Sequence, residues 1–578
     1  MKKILSVIAV VMAIGAQAQT AAEKLNALFE QEWEYSMRTS PVWASILGDR
    51  RWNDRWADLS LQARAAHEVH QRDVLEELRR ISTGELGPDD RLNYDLFHRS
   101  VTVDLERSAM MLYLMPLDHR NGVQTMNDTA DALRFETLKD YKDWIARLNA
   151  FPVFVEQTMD LMREGIRRGI VQSRIVMERV PRQIEAQIVE DPEKSPFYKP
   201  FARFAPDIDA ADQLRLEKAA WAAIQNQVVP AFREFKTFFV DEYLPACFGE
   251  VGAWQWPHGK QAYDFLVGDF TTTDMTADQV HQTGLREVKR IRAEMEAIRE
   301  RVGFDGNLSE FFEHLRTDPK FYYKTGDELL RGYMALGKRL DPLMVKLFGK
   351  LPRMPYGIEA IPELMAPDTT TAYYRWPAPD GSRAGTYFVN LYKPETRPRW
   401  EMVALSLHEA VPGHHLQIAL AQEQKDLPKF RRHLSVTAYI EGWGLYAESL
   451  GDELGVFEDP YDKFGQLTYE MWRAVRLVVD TGIHAKRWSR KKAIDFFMEN
   501  APKTRQDVVN EVDRYIAWPG QALAYKIGQI KIRELRQRAE VKLGERFDLR
   551  AFHDRVLESG AVPLKILENR VNEWIAKQ

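Results

Sequence analysis

The sequence predicts a mainly α-helical protein with one small β-sheet. Apolar residues recur at spacings of three and four through most of the chain, as in Leu25, Leu28, Phe29 and Trp33, which marks helices with one buried face. Alternation with period two is confined to about residues 355–392, so strands are expected there. At 578 residues the chain exceeds one ordinary core, and two or three subdomains are expected.

The elements follow in order. Lys2 and Lys3, the apolar run Ile4–Gly15 and the small-residue site Ala16-Gln17-Ala18 read as a secretory signal peptide over residues 1–18, cleaved before Gln19. The run is too short to span a bilayer comfortably, and no later run of ~20 apolar residues follows. A periplasmic or secreted protein without stable membrane insertion is expected. No cysteine stands directly after the cleavage site, so no lipid attachment is expected there. The one cysteine, Cys247, excludes an internal disulfide and a cysteine-based metal cage, and reads as a buried small hydrophobe. A net charge of −5 gives no reason to expect nucleic acid.

Residues 19–260 read as an N-terminal helical region. Ser60 is a plausible N-cap, Thr137 opens a helix that runs to about Asn149, and Phe151-Pro152 opens the next. His67 and His70 read as part of a solvated helix face. Residues 190–211, rich in proline and charge, read as a long connection, and a helix over 212–244 is expected to break at Pro230. A long capped helix starts near Thr276, its alternating charges marking a solvated face. In the strand at 384–392, Tyr387, Val389 and Leu391 alternate with Thr386, Phe388 and Asn390, and Pro394 and Pro398 close it.

Residues 401–417 read E-M-V-A-L-S-L-H-E-A-V-P-G-H-H-L-Q. The pair His408-Glu409 with His414 and His415 close behind suits a zinc site with an attached general base. The common form is H-E-x-x-H on one helix, but here Pro412 stands four after His408. At about 100° per residue, an unbroken helix would put His415 on the face of His408, roughly 10 Å along the axis. Pro412 crowds the carbonyl of His408, and Gly413 permits backbone angles closed to other residues. The V-P-G stretch therefore reads as a bulge that returns His414 to the ion. A third ligand is sought in T-A-Y-I-E-G-W-G-L-Y-A-E, residues 437–448, where Glu441 and Glu448 share a helical face beside Trp443 and Tyr446.

L-H-E-A-V-P-G-H-H-L-Q followed by Y-I-E-G-W-G-L-Y-A-E resembles the DUF885 family, whose members carry a stretched H-E-x-x-P-G-H motif and an E-G-W motif. That family resembles the gluzincin metallopeptidases, and the likeness is strongest from about residue 365 to 530. It implies a helical-oligopeptidase-like fold with a small sheet beside a deep zinc-containing cleft. It implies one Zn2+ per chain held by His408, His414 and Glu441, with Glu409 as base, a peptide substrate, and residues 261–578 as the catalytic region. Gluzincins often lay substrate along the strand before the zinc helix, which makes Tyr387 and Asn390 substrate-binding candidates. Helical gluzincins bind the oxyanion with a tyrosine or histidine outside the zinc motif, and Tyr525 and His484 are the candidates here. Arg473, Arg476, Asp480 and His484 share one helix face among apolar residues, and read either as a polar wall on the cleft, with Arg476 binding substrate, or as a structural Arg–Asp network. Pro519-Gly520 break the chain before a helix that carries Gln521, Tyr525 and Lys526 near its start. The function expected is that of an exported zinc-dependent peptidase. The alternatives are another metal-dependent amide or ester hydrolase, or a periplasmic peptide-binding protein without turnover.

Overall fold

The computed structural model describes residues 19–578 except 364, 365, 369, 380 and 382. The expected signal peptide, residues 1–18, lies outside the described residues. Helix accounts for most of the chain, and the described strands form a single sheet of three.

The helix starts follow from their caps. Thr20 and Glu23 form a reciprocal capping box at helix Ala21–Thr39, Ser60 caps Leu61–Arg79, and Thr137 with Asp140 caps Leu138–Asn149. The helix after Thr276 runs Ala277–Arg301, with Gln279 completing its box. His67 and His70 do not form the solvated face expected. Both are half-buried against helix Ala21–Thr39, where the Tyr35 ring stacks 3.7 Å from that of His70 and His70 Nε2 bonds Glu32 at 3.0 Å.

The break expected at Pro230 does not occur. A π-helical turn at Ile224–Val228 precedes helix Val229–Phe238, and a second at Phe239–Tyr243 precedes Leu244–Ala246, which holds Pro245. Each wider turn sits where a proline ring would crowd the carbonyl four residues back, so the chain continues helical past both prolines.

The sheet orders β1 (Tyr356–Ala360), β3 (Gly385–Val389) and β2 (Ala372–Arg375). Strand β3 pairs parallel with β1 and antiparallel with β2. It is therefore the central strand, buried along its length, and its backbone is already paired on both sides. Tyr387 and Asn390 are thus not on a substrate edge. Tyr387 is fully buried, and Asn390 donates to the carbonyls of Ala366 and Thr370 and accepts from the Tyr392 N–H. An edge cannot be told from a centre by alternation alone, because either can bury side chains.

The largest buried cluster takes residues from Trp56 to Val571, including Trp144, Phe232, Trp400 and Tyr469. Helix Ala277–Arg301 lies along helix Pro460–Lys486, and Gly284 allows the approach: a Cβ there would meet Leu477 Cβ at 2.7 Å.

His484 and His553 are buried in the interior as neutral rings. His484 accepts the Ala253 N–H at 2.9 Å and donates to the Tyr515 carbonyl at 3.0 Å. His553 bonds the Tyr446 hydroxyl and the Leu347 carbonyl, each at 2.8 Å. Burial pushes His484 down to about 4 and His553 to about 3, against 6.5 unperturbed. The unfolded chain therefore binds more protons below pH 6.5, so the stability these rings confer is full above that value and is lost as pH falls through 4 towards 3. Thermal unfolding should give a Tm that declines progressively below pH 6.5. A Tm level down to about pH 4 would show that the rings accept protons without loss of packing.

Candidate metal centre

The chain between His408 and His414 is not one helix. Helix Met402–Glu409 stops, residues 410–413 turn, and helix His414–Gln422 starts in a new direction. Gly413 is required at the turn, because a Cβ there would collide with the carbonyls of His408 and Leu407. The turn is fastened from outside by Trp443, whose Nε1 donates to the Pro412 carbonyl at 2.8 Å. This links the two motifs directly: the tryptophan of E-G-W holds the proline of V-P-G.

The turn brings His414, not His415, to His408. The rings of His408 and His414 lie 4.6 Å apart and nearly perpendicular, and Nε2 of each faces Glu441 Oε2, at 3.5 and 3.4 Å. His415 points to the sheet, where Nδ1 meets the Tyr374 hydroxyl at 2.8 Å and the ring packs on Tyr356. Among the described residues, His408, His414 and Glu441 are the group that could hold a metal, with one ligand atom from each inside a 4.8 Å span. The spacing fits an ion. Bonds of about 2.1 Å in tetrahedral array separate ligand atoms by roughly 3.4 Å. Glu441 Oε2 is buried and has no hydrogen bond, as expected of an atom built to bind something else. Burial works against the Glu441 charge, but the two imidazoles outweigh it and hold its carboxyl well below the usual range.

His408 is oriented from behind. Its Nδ1 bonds Glu448 Oε1 at 2.8 Å, and Glu448 is fully buried with Arg473 at 3.5 Å. A carboxylate on the far ring nitrogen fixes the tautomer that offers Nε2 to a metal. Glu448 is thus a supporting residue rather than a spare base. Its place follows from the helix: Glu441 and Glu448 are two turns apart on helix Thr437–Ser449, so one meets Nε2 and the other Nδ1 of the same ring. Gly444 lies between them, and a Cβ there would strike the His408 ring at 2.7 Å. Gly442 packs on Gly528 of helix Ala524–Leu543, so closely that a Cβ on Gly442 would stand 2.5 Å from the facing Cα. Each glycine of E-G-W-G therefore clears a specific contact. Glu409 is 9 % exposed and follows His408 at the end of its helix.

The remaining candidates divide. Tyr525 is half-buried near the cluster; burial raises its pKa and the Glu441 charge adds to this, with Arg476 opposing. The Arg476 guanidinium lies 4.4 Å from the Tyr525 ring centre, and bonds Tyr515 and Glu511. His484 does not join them, because both its ring nitrogens are held by the backbone groups of Ala253 and Tyr515. Asp480 accepts from the Tyr263 hydroxyl and the Gly520 N–H. The helix face that carries Arg473, Arg476, Asp480 and His484 is thus split, its first half beside Tyr525 and its second half tied into the core. No Arg–Asp pair forms along it among the described residues, since the partners come from other elements. Lys526 is fully buried on Glu470 and Gln529.

Fold and site together define a mainly helical protein whose two-histidine, one-glutamate cluster is assembled from two short helices and a third crossing them. The chain belongs to the DUF885 family, described as "Bacterial protein of unknown function (DUF885)", whose profile matches residues 41–571. No curated protein matches the chain. Among solved structures it is similar to "the putative lipoprotein from Colwellia psychrerythraea", with a TM-score of 0.91 and 27% identity over 97% of this chain and 100% of that one. It also shares its fold with "a putative lipoprotein of unknown function from Shewanella oneidensis", with a TM-score of 0.70 and 19% identity over 96% and 99% of the two chains.

Proposed function

We propose that this protein is an exported zinc-dependent peptidase that hydrolyses peptide bonds of oligopeptides in a deep cleft. The observation that carries the reading is the convergence of His408 Nε2, His414 Nε2 and Glu441 Oε2, with Glu409 next to a ligand. On this reading residues 261–578 form the catalytic region, and the basic and apolar pattern of residues 1–18 directs export to the periplasm.

A zinc ion held by His408, His414 and Glu441 would supply Lewis acidity for the scissile carbonyl and would lower the pKa of water towards neutrality. The chain supplies the rest. Glu409 takes the proton of the attacking water and passes it to the leaving amine nitrogen. Tyr525 donates its hydroxyl hydrogen to the oxygen on which negative charge develops, a role with which its raised pKa is compatible, since the phenol stays protonated at neutral pH. Glu448 holds His408 in place throughout.

The test is a digest of a mixed oligopeptide library read by mass spectrometry, together with elemental analysis of the protein. About one zinc per chain is expected, with cleavage that a chelator stops and added zinc restores. Stoichiometric zinc with no cleavage of any peptide would favour a binding protein, and cleavage unaffected by metal removal would remove the metal from the mechanism.

A further inference from the structure

The arginines beside Tyr525 include hydrogen-bond donors that no protein group meets. Arg476, Arg514 and Arg120 are grouped around Glu511: Arg476 bonds it at 3.0 Å, Arg514 at 2.8 Å, and Arg120 lies within reach of its charge. The other carboxylate near Arg120 is Asp118, which is engaged by the Trp518 indole N–H and the Arg120 and Asn121 backbone. Three guanidiniums therefore surround Glu511, with Asp118 beside Arg120. Arg476 is 5 % exposed, and its Nη1 has no hydrogen-bond partner. An unmet donor on a buried cation is expensive and calls for an acceptor. The Arg120 guanidinium has no hydrogen bond or ion pair among the described residues; its contact is the Trp518 ring, 6.0 Å away. Burial lowers its pKa, partly offset by Glu511. Tyr525 lies 4.4 Å from Arg476 and senses the Glu441 charge.

We propose that Arg476 Nη1 and the Arg120 guanidinium form a subsite for a carboxylate of the peptide beside Tyr525. This rests on the peptidase reading and adds a substrate class to it: peptides that carry a free C-terminal carboxylate or an acidic side chain at the bound position. The arginine fork matches a carboxylate in geometry as well as charge. The same contact would orient the peptide, since a single fixed charge beside the metal sets which bond lies over Glu409.

The experiment measures binding, so that it does not depend on turnover. The zinc-loaded Glu409→Gln protein is titrated calorimetrically with three peptides of one neutral sequence: the free acid, the C-terminal amide, and the amide with one residue changed to Glu. Charge-assisted hydrogen bonds of this kind commonly contribute about 1.5–3 kcal/mol, so one of the acids should bind at least ~10-fold tighter than the neutral amide. A preference for the free acid identifies the C-terminus as the source, and a preference for the Glu peptide identifies a side chain. Arg120→Gln, which breaks no ion pair, should bring that preference close to unity with zinc content unchanged. Arg476→Lys, which keeps the charge facing Glu511 but not the fork, should reduce it. Equal binding of all three peptides, no binding by either acid, or a preference untouched by both substitutions would overturn the proposal. Failure of the peptidase reading would look different: wild-type protein would bind acids selectively and cleave nothing. Equal cleavage of acid and amide peptides by the wild type would leave that reading standing and remove the subsite.

Discussion

Glu409→Gln is expected to keep the metal and the fold and to lose nearly all peptide hydrolysis. Glutamine has almost the same shape, so the end of helix Met402–Glu409 should pack as before. The ligands should also be undisturbed, since His408 is held by Glu448 on one nitrogen and faces Glu441 with the other. The amide cannot accept a proton at neutral pH. General acid–base catalysis commonly contributes ~10² to 10⁴ in rate, and the upper end is expected where one residue is both base and acid. Zinc content is to be measured in both proteins before their rates are compared. A fully loaded variant with near wild-type turnover would refute the mechanism. Glu448 could not then take over as base, because it is fully buried behind His408 and bonded to it.

The second large effect concerns metal content. His408→Ala, His414→Ala and Glu441→Ala should each fall from one zinc per chain to nearly none after dialysis, because two remaining ligands do not make a structural or catalytic zinc site. His415→Ala should retain the metal, since its ring is engaged by Tyr374 and Tyr356. Glu448→Gln should bind zinc more weakly, by ~10- to 100-fold, as is typical when the partner of a ligating histidine is changed. Elemental analysis and competition with a chelator give both readouts. Loss of metal in His415→Ala with retention in His414→Ala would mean that the turn at 410–413 is opened in solution and that the continuous-helix geometry applies.

Much of the site was legible because its chemistry is local. A proline four residues after His408 cannot sit in an undisturbed helix, and a glycine beside it licenses a turn, so a break between His408 and His414 follows from covalent geometry. The glutamate of E-G-W lies on a helix face with Glu448 by periodicity alone. That Glu441 meets the metal side of His408 was implied by the family resemblance and not by periodicity, because it depends on where helix Thr437–Ser449 packs on helix Met402–Glu409. That packing is set by Gly444 under the His408 ring and by Gly442 on Gly528. Arg120 was not legible at all. It precedes Arg476 by more than three hundred residues and sits in no motif, and only tertiary packing puts it near Tyr525.

The sequence by itself determined the helical class, the caps, the period-two segment and the break in the helix between His408 and His414. These rest on contacts between residues close in the chain, where backbone geometry leaves few choices. Tertiary structure decided what depends on partners from elsewhere. It made β3 the central strand and so withdrew Tyr387 and Asn390 from the substrate. It tied His484 to Ala253 and Tyr515, and it carried the helix past Pro230 through a π-turn. A side chain's type limits which bonds it can make, but burial and the competing donors and acceptors around it decide which of them it does make.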